Sequence, residues 1–313
     1  IRIRGIGSIY ASSAPLIIVD GSPYEGALNT INPADIDAYT VLKDAASAAL
    51  YGARGANGVI LITTKSGKTG KTVVALDTKV GYNYRGVPEY DIIRDPGTYY
   101  ETMWRSLYHQ QIYDKKKTPE AAAKEASAGL FKQLGYNIYN VPNHEIVLAD
   151  GKLNPAAALK YKDADWNDWE GALYEPQIRQ EYNLSVSKGG EKSRTYFSAG
   201  YLDDKGYNQN TYFKRITTRL RYDAEIYSWL KFDNNVQFTN SKRNSTRETG
   251  AYSNTFSWTR NMPPIYPIYK HDMNGDIMHD PVTGEKIYDD GTQNWTADGK
   301  LINDGRAYAG NMN

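Results

Sequence analysis

Apolar and polar side chains alternate along residues 212–226, which read YFKRITTRLRYDAEI. The even-numbered positions are mostly apolar or aromatic, whereas the odd-numbered positions are mostly charged. Successive side chains of a β-strand point to opposite faces, so this pattern predicts a strand with one apolar and one polar face. The segment is much longer than the roughly 5–6 residues of an ordinary strand in a soluble protein.

The same period of two recurs in four more segments, at residues 72–84, 181–189, 194–202 and 230–240. The polar face of segment 212–226 carries Arg215, Arg219 and Arg221, as a wall in contact with water would. We therefore predict a membrane all-β fold, in which these segments are the first strands of a large transmembrane β-barrel. A soluble β-sandwich or barrel, whose strands also alternate, is the alternative.

Five strands cannot close a membrane barrel, which needs at least about eight. The chain is therefore expected to be a fragment or an incomplete part of a longer polypeptide. Its strand connections are short at 188–193 and 227–229, and long at 85–180 and after residue 241. Outer-membrane barrels have short periplasmic turns and long outer loops, so 85–180 is predicted to be a long outer excursion.

Two helices are predicted within this excursion. Residues 118–135 start with Thr118 as the N-cap and Pro119 in the first turn, and they stop at Gly135. Residues 97–113 have an amphipathic pattern with Trp104 in an aromatic stripe. Such a stripe packs a core or stacks on sugar rings, and both interpretations stay open.

Residues 1–70 follow a different pattern and predict a small α+β domain, which leaves 71–313 for the first part of the barrel. Short apolar runs predict strands at residues 1–5, 14–21, 36–43 and 58–65, and an Ala-rich stretch before Gly52 predicts a small helix.

Three glycines in this domain, Gly52, Gly55 and Gly58, raise the question of a phosphate-binding loop. A dinucleotide-binding loop lies between a strand and a helix, whose N-terminus holds the phosphate. Here the glycines are followed by the strand-like residues 59–65, so no helix N-terminus is available. We interpret these glycines as permitting tight turns that lead into a strand.

Composition narrows the function classes. The chain has 313 residues, a formal net charge of +1 and no cysteine. This balance does not favour a nucleic-acid partner, and thiolate metal sites are excluded. No apolar run is long enough for a transmembrane helix. The absence of an initiator Met and of a signal peptide predicts a cut or processed end at residue 1. The 27 tyrosines are typical of the aromatic girdles of membrane barrels.

Three blocks of this sequence resemble the SusC/RagA family of TonB-dependent outer-membrane transporters. They are PLIIVDGSPYEG, INPADIDAYTVLKDAASAALYGARGANGVILITTKSG and DADWNDWEGALYEPQIRQEYNLSVSKGGEKSRTYFSAGYLDDKGY. The first two blocks resemble the plug domain, and the third resembles the entry into the barrel. The resemblance implies an N-terminal α+β plug in the lumen of a barrel of about 22 strands.

The resemblance also implies a function. Family members import oligosaccharides or oligopeptides across the outer membrane, with a SusD-like surface lipoprotein as a lid. TonB acts through a segment upstream of the plug, which this sequence does not contain. We expect that the protein imports oligosaccharides. We also expect that the chain lies in the lipid of the outer membrane. Import of oligopeptides, or a surface binding or adhesion barrel without transport, stays open.

The resemblance places candidate site residues in the plug. The loop after VDG matches a plug apex that faces substrate, which gives Tyr24, Glu25 and Asn29 as expected substrate contacts; Trp104 of the excursion joins them. Arg4 in IRG resembles a plug arginine that pairs with glutamates of the barrel wall. Lys43 in VLKD stands where a second such arginine is usual, and lysine lacks its bidentate fork.

Other chemical signals are weaker. The stretch DMNGDIMHD has Asp272, Asn274 and Asp276 at calcium-loop spacings, but Gly275 does not stand at the glycine position and Thr283 stands where a Glu is needed. We interpret it as a polar hairpin turn, with a structural calcium ion as the alternative and no other cofactor. The four histidines form no catalytic arrangement with Ser, Asp or Glu, so no enzyme activity is expected. Trp166 and Trp169 are candidates for a membrane girdle.

Overall fold

The computed structural model describes residues 3, 14–44, 49–86, 91–245, 255–289, 294–295 and 301–302. The chain divides into two compact units. The first combines the residues up to Arg85 with Pro176–Ser245, and the second combines Gly86–Glu175 with the residues from Thr246 onward.

The first unit begins with a small sheet of four strands, in the order β2-β1-β4-β3. Its strands are β1 (Leu16–Val19), β2 (Ser22–Pro23), β3 (Ile36–Leu42) and β4 (Val59–Thr64). Strand β4 lies parallel to β1 and antiparallel to β3. Short 3-10 helices precede β3 at Leu28–Thr30 and Pro33–Asp35. One small core contains Ile18 and Val59, and a second contains Ile31, Ile60 and Ile62.

A two-residue turn joins β1 to β2. Asp20 and Gly21 have positive φ angles of 47° and 84°, and Val19 pairs directly with Ser22. A turn with two left-handed residues suits the twist of a hairpin, which is why Asp-Gly is favoured there. The turn also brings the Asp20 carboxylate to Thr64, whose amide and hydroxyl donate to it at 2.8 and 2.5 Å.

The glycine-rich stretch is a turn that leads into a strand, as predicted. Gly52 and Gly58 have positive φ angles of 60° and 94°, which side chains rarely adopt, and β4 follows directly. Residues Ala49–Gly55 form 3-10 turns. The earlier part of the predicted Ala-rich helix, at 45–48, lies outside the described residues, as does most of the predicted first strand.

The large sheet is an antiparallel meander in the order β5-β6-β7-β8-β9. Its strands are β5 (Gly70–Asn83), β6 (Gln177–Gly189), β7 (Ser193–Lys205), β8 (Tyr212–Tyr227) and β9 (Leu230–Asn244). All five strands predicted from alternation are therefore confirmed, and each is at least 13 residues long.

The two faces of the large sheet differ in the way that the alternation predicts. The inner face, on which the small sheet packs, buries polar side chains that include Glu181, Asn183, Ser198, Arg215, Thr217 and Arg219. The outward face exposes apolar side chains that include Leu76, Val80, Leu184, Ile216, Leu220, Val236 and Phe238. This arrangement reverses the usual distribution of a soluble protein and suits a wall between lipid and a polar interior.

The second unit contains α1 (Pro96–His109), α2 (Pro119–Leu134), α3 (Trp169–Leu173), α4 (Thr255–Asn261) and the short strands β10 (Asn294–Trp295) and β11 (Leu301–Ile302). A π-helical turn, Gln110–Asp114, extends α1. Both predicted helices are confirmed: Thr118 caps α2, and Gly135 ends it in a left-handed conformation. Among the described helices, none is both long and apolar enough to cross a membrane.

The core of the second unit is rich in aromatic residues and draws on both of its chain segments. Trp104, Trp166 and Trp169 from the first segment lie in one buried cluster with Ile265 and Tyr266 from the second. The assignment of Trp166 and Trp169 to a membrane girdle is therefore wrong, because each ring is only 4% exposed. Their indole rings stabilise this unit by removing a large apolar surface from water.

The Asn274–Gly275 turn links the two segments and should be sensitive to a methyl group. Gly275 has a φ angle of 82°, and a Cβ there would overlap the main-chain oxygen of Lys160. We expect Gly275→Ala to lower the free energy of unfolding by more than the roughly 1–2 kcal/mol of a left-handed alanine. Thermal unfolding in detergent measures the loss.

Gly284→Ala is the matched control, since Gly284 has a φ angle of 73° but open space around its missing Cβ. Equal destabilisation by the two variants would contradict the role of the contact between Gly275 and Lys160.

Candidate functional site

An ion pair joins the small sheet to the inner face of the large sheet. Arg219 of β8, whose side chain is 1% exposed, donates from Nη2 to Oδ2 of Asp20 at 2.7 Å. The same nitrogen donates to the Thr64 hydroxyl, and Asn235 of β9 donates to Asp20 at 2.8 Å. The Asp20 carboxylate is thus the point where β8, β9 and the small sheet meet.

Hydrogen bonding keeps this carboxylate ionised. Burial by itself would raise the pKa of Asp20, but the hydrogen bonds from Thr64 and then the Arg219 guanidinium outweigh it, so that the pKa lies below its ordinary value. A buried guanidinium needs such an anion, because an unpaired charge away from water costs several kcal/mol.

A second arginine of β8, Arg215, binds main-chain carbonyl groups of the small-sheet segment. Arg215 donates from Nη1 to the carbonyl oxygens of Asn29 and Ile31 at 2.7 and 3.0 Å. Its Nη2 lies 3.4 Å from Oδ1 of Asn32. Asn29 lies within the first 3-10 helix and Ile31 directly follows it, so Arg215 fixes the path of the segment between β2 and β3.

Asn32 brings the small sheet into direct contact with the inner face of the large sheet. Its Nδ2 donates to Oδ1 of Asn183 at 2.8 Å and to Oγ1 of Thr217 at 3.3 Å. This approach needs a glycine on β7, since a Cβ at Gly200 would lie 2.5 Å from Nδ2 of Asn32. Gly200 therefore provides the space in which the two sheets meet.

A further polar contact joins the small sheet to β7. The Tyr196 hydroxyl of β7 donates to Oδ1 of the buried Asp35 at 3.1 Å. Together with Arg219 and Arg215, it makes the attachment of the small sheet mainly a set of polar contacts.

A cavity of about 640 Å³ opens between the β1–β2 hairpin and strands β8 and β9. Hydroxyl, amide and charged groups dominate its lining, which includes Asp20, Ser22, Tyr24, Arg219, Arg221, Asn235, Gln237 and Thr239. Planar amides and hydroxyls of this kind can exchange hydrogen bonds with a polar ligand or with water.

The three residues predicted at the apex lie in one loop but have different surroundings. Tyr24 lines the cavity, and its hydroxyl lies 2.5 Å from Oγ1 of Thr30. Glu25 is exposed and pairs with Arg54 at 3.3 Å. Asn29 is exposed, and its carbonyl accepts from Arg215. Their contact with substrate stays a prediction.

Trp104, the fourth predicted contact, has a different environment. Its ring is 6% exposed in the core of the second unit, and its Nε1 donates to the Ser127 hydroxyl at 2.9 Å. These contacts are those of a core side chain, so binding of a sugar to this ring would require the core to open.

The predicted anchors stay predictions as well. Arg4 lies outside the described residues, and Lys43 is exposed just after β3. The sequence interpretation missed Asp20, Asn32 and Asp35 as attachment points. It placed Arg215 and Arg219 on the polar face without a partner. The sequence did contain part of the information needed to find these contacts. The charged side chains on one face of a long strand must contact either water or a polar partner.

The calcium-like stretch forms the predicted hairpin turn. His271 pairs with Ile277, and Oδ1 of Asp272 accepts the amides of Asn274 and Asp276 at 2.8 and 3.0 Å. Asp276 also pairs with Lys162 at 2.6 Å. Within the described part of the chain, no group of three or more His, Asp or Glu side chains is arranged to hold a metal ion.

Comparison with known proteins supports the resemblance stated above. Residues 1–59 match the family model of the TonB-dependent receptor plug domain. "TonB-dependent receptor P39" of Formosa agariphila is 29% identical over 256 residues, which cover 81% of this chain and 20% of that protein. "TonB-dependent receptor SusC" of Bacteroides thetaiotaomicron is 28% identical over 283 residues, which cover 87% of this chain and 23% of that protein.

Solved structures agree with these relatives. "Structure of the RagAB peptide transporter" superimposes with a TM-score of 0.58 at 26% identity, over 92% of this chain and 31% of that one. The RagAB peptide importer in the "open-open" state gives 0.60 at 25% identity, with the same coverage. The SusC/RagA-like resemblance, the fold class and the outer-membrane localisation are therefore confirmed. The chain spans about a fifth of the length of these curated relatives.

Gly200 provides the first test of the attachment. Gly200→Ala should push Asn32 off the wall, because its Cβ would lie 2.5 Å from Nδ2 of Asn32 and 2.6 Å from Oγ1 of Thr217. We expect amide hydrogen exchange in residues 14–64 to accelerate roughly tenfold, which corresponds to about 1.4 kcal/mol.

Gly81→Ala on β5 is the matched control, since a Cβ there would meet no atom within 4 Å. If both alanine variants exchange at the wild-type rate, close approach at Gly200 does not hold the small sheet.

Asp20 should make the attachment sensitive to acid. Because the folded-state pKa of Asp20 lies below its ordinary value of 3.8, its contribution to stability is fully present above that pH. The contribution is lost as the pH falls through the lowered pKa. We expect the small sheet of the wild type to loosen in this acid range, as measured by the pH dependence of its proteolysis.

In the Asp20→Asn variant, the small sheet should be held less firmly at neutral pH. Its proteolysis should also lack the increase that the wild type shows as the pH falls, which we call the acid step. Asp37→Asn, at an exposed position of β3, should keep the step. An unchanged acid step in Asp20→Asn would refute the assignment.

Proposed function

We propose that this SusC/RagA-like chain forms the plug and the first part of the barrel of a TonB-dependent importer of oligosaccharides. It works together with a SusD-like lipoprotein. The observation that carries this proposal is the polar attachment of the plug to the inner face of the wall, centred on Asp20 and Arg219.

A plug that must move needs an attachment that can be exchanged. Water replaces a protein hydrogen bond at a net cost of only about 0.5–1.5 kcal/mol. The contacts of Arg215, Asn32 and Tyr196 can therefore be broken one after another when a force acts on the plug. A largely apolar interface would expose its whole area to water in one step and would resist such a movement.

The lining of the cavity supports a polar substrate, because amide and hydroxyl groups stand there beside the charged groups of Asp20, Arg219, Arg221, Asp223 and Asp233. Amide and hydroxyl groups of Asn235, Gln237, Thr239 and Ser22 line the same cavity as Tyr24. This combination matches the hydroxyl groups and apolar ring faces of a sugar. Tyr24, Glu25 and Asn29 remain the apex residues that we assign to substrate.

Import of oligopeptides is the second candidate. It is supported by the superposition on the RagAB peptide transporter, and peptide amides would pair equally well with the same lining. A surface binding or adhesion barrel without transport is favoured less, because such a barrel does not need a plug that fills its interior.

Oligosaccharides and oligopeptides differ in the spacing of their masses, so mass spectrometry of the bound ligand distinguishes the two substrate classes. We expect that native mass spectrometry of the protein purified from its own outer membrane in detergent will show a lipoprotein partner. Bound ligands should form a ladder of masses spaced by one hexose, since an importer with a lid retains substrate.

A heterogeneous set of peptide masses with the same lipoprotein would replace the oligosaccharide by an oligopeptide. A bare barrel that lacks a lipoprotein, together with uptake that persists in cells without TonB, would overturn the proposal of TonB-driven import.

A further inference from the structure

A group of lysines lies on the outward face of the large sheet, at the end where its long connections begin. Lys214 of β8 stands directly opposite Lys242 of β9 in the strand register. One row farther along, Lys205 of β7 stands opposite Tyr212 of β8. All three lysines are exposed. We call Lys205, Lys214, Lys242 and Tyr212 the lysine cluster.

The cluster is organised around one aromatic ring. The ammonium nitrogens of Lys214 and Lys242 each lie 5.9 Å from the centroid of the Tyr212 ring. One carboxylate belongs to the same surface, since Asp203 lies 3.7 Å from Lys214. Three cations and one anion give the surface a local excess of positive charge.

Such an arrangement costs stability when it stands alone. Like charges directly opposite each other on neighbouring antiparallel strands repel each other. A bound anion would reverse the sign of this term, because each lysine would then gain a charge-assisted hydrogen bond. The pairing of Lys214 with Lys242 is thus suited to a ligand that brings negative charge.

The position of the cluster indicates where that charge comes from. The rows next to it on the same face hold Ile216 and Tyr201, then Phe238, then Leu220 and Val236. These side chains are exposed and apolar, and they face lipid in the proposed fold. The cluster therefore stands at the border between the apolar band and the water.

The same face is different towards the short turns. The row of Lys188, Thr195, Tyr222 and Asn234 has a single cation, and the next row, with Ala224 and Phe232, has none. The excess of positive charge thus belongs to one border, on the side of the long connections. In the orientation expected from the short turns, this side is the outer leaflet.

We propose that the lysine cluster binds the phosphate group of a phosphorylated glycolipid of the outer leaflet, whose acyl chains lie along the apolar rows. The inference rests on the proposed membrane orientation but not on the transported substrate. Lys214 and Lys242 hold the phosphate, and Lys205 extends the site one row farther from the apolar rows.

The test compares variants on the same face of the sheet. The protein is purified in detergent as Lys214→Gln/Lys242→Gln and as Lys188→Gln, and each is titrated with a phosphorylated glycolipid and with its dephosphorylated form. Two lysines near a membrane surface contribute enough binding that we expect the double variant to lose at least about tenfold in affinity. Lys188→Gln should bind as the wild type does.

Two further measurements keep the inference falsifiable. Lys214→Arg/Lys242→Arg keeps the charge and should restore binding, which separates loss of charge from loss of folding. Equal binding of the dephosphorylated lipid, unchanged affinity of the glutamine variant, or full competition by millimolar inorganic phosphate would each overturn it. Uptake by cells is scored separately, so failure of TonB-dependent import leaves the lipid result intact.

Discussion

The arrangement of plug and wall depends on the ion pair between Asp20 and Arg219. The guanidinium is almost fully buried, and it would be costly without its anion. The anion is supplied by a two-residue turn whose left-handed backbone carries the carboxylate towards β8 and β9. Thr64 and Asn235 complete the site, so that four segments of the chain meet at one carboxylate. This carboxylate therefore holds the plug against the wall together with the contacts of Arg215, Asn32 and Tyr196.

The large sheet contacts a polar interior on one face and lipid on the other. Its inner face offers guanidinium, amide and hydroxyl groups to the plug, and its outward face offers aliphatic and aromatic side chains to lipid. One strand serves both faces because neighbouring residues point in opposite directions. Since lipid cannot form hydrogen bonds with exposed main chain, long paired strands are a suitable way to build such a wall.

The second unit uses a different principle. Its buried cluster combines tryptophans and tyrosines from two segments that are separated by the whole of strands β6–β9. A pattern of aromatic residues in a short sequence window looks the same in a membrane girdle, a sugar platform and a core. Trp104, Trp166 and Trp169 belong to the core because they pack against residues from elsewhere in the chain.

Elements that depend on neighbours in the chain follow from local patterns of residues. The period of two predicted all five long strands and their two faces. Capping residues predicted the helix at 118–135, an amphipathic pattern predicted the helix at 97–113, and glycines predicted the turn before β4. The polar side chains that attach the plug are set instead by contacts between distant segments of the chain. Asp20 and Arg219 are 199 residues apart, and Asp20 and Asn235 are 215 apart. Such contacts follow from strand register and sheet packing, which no local pattern encodes.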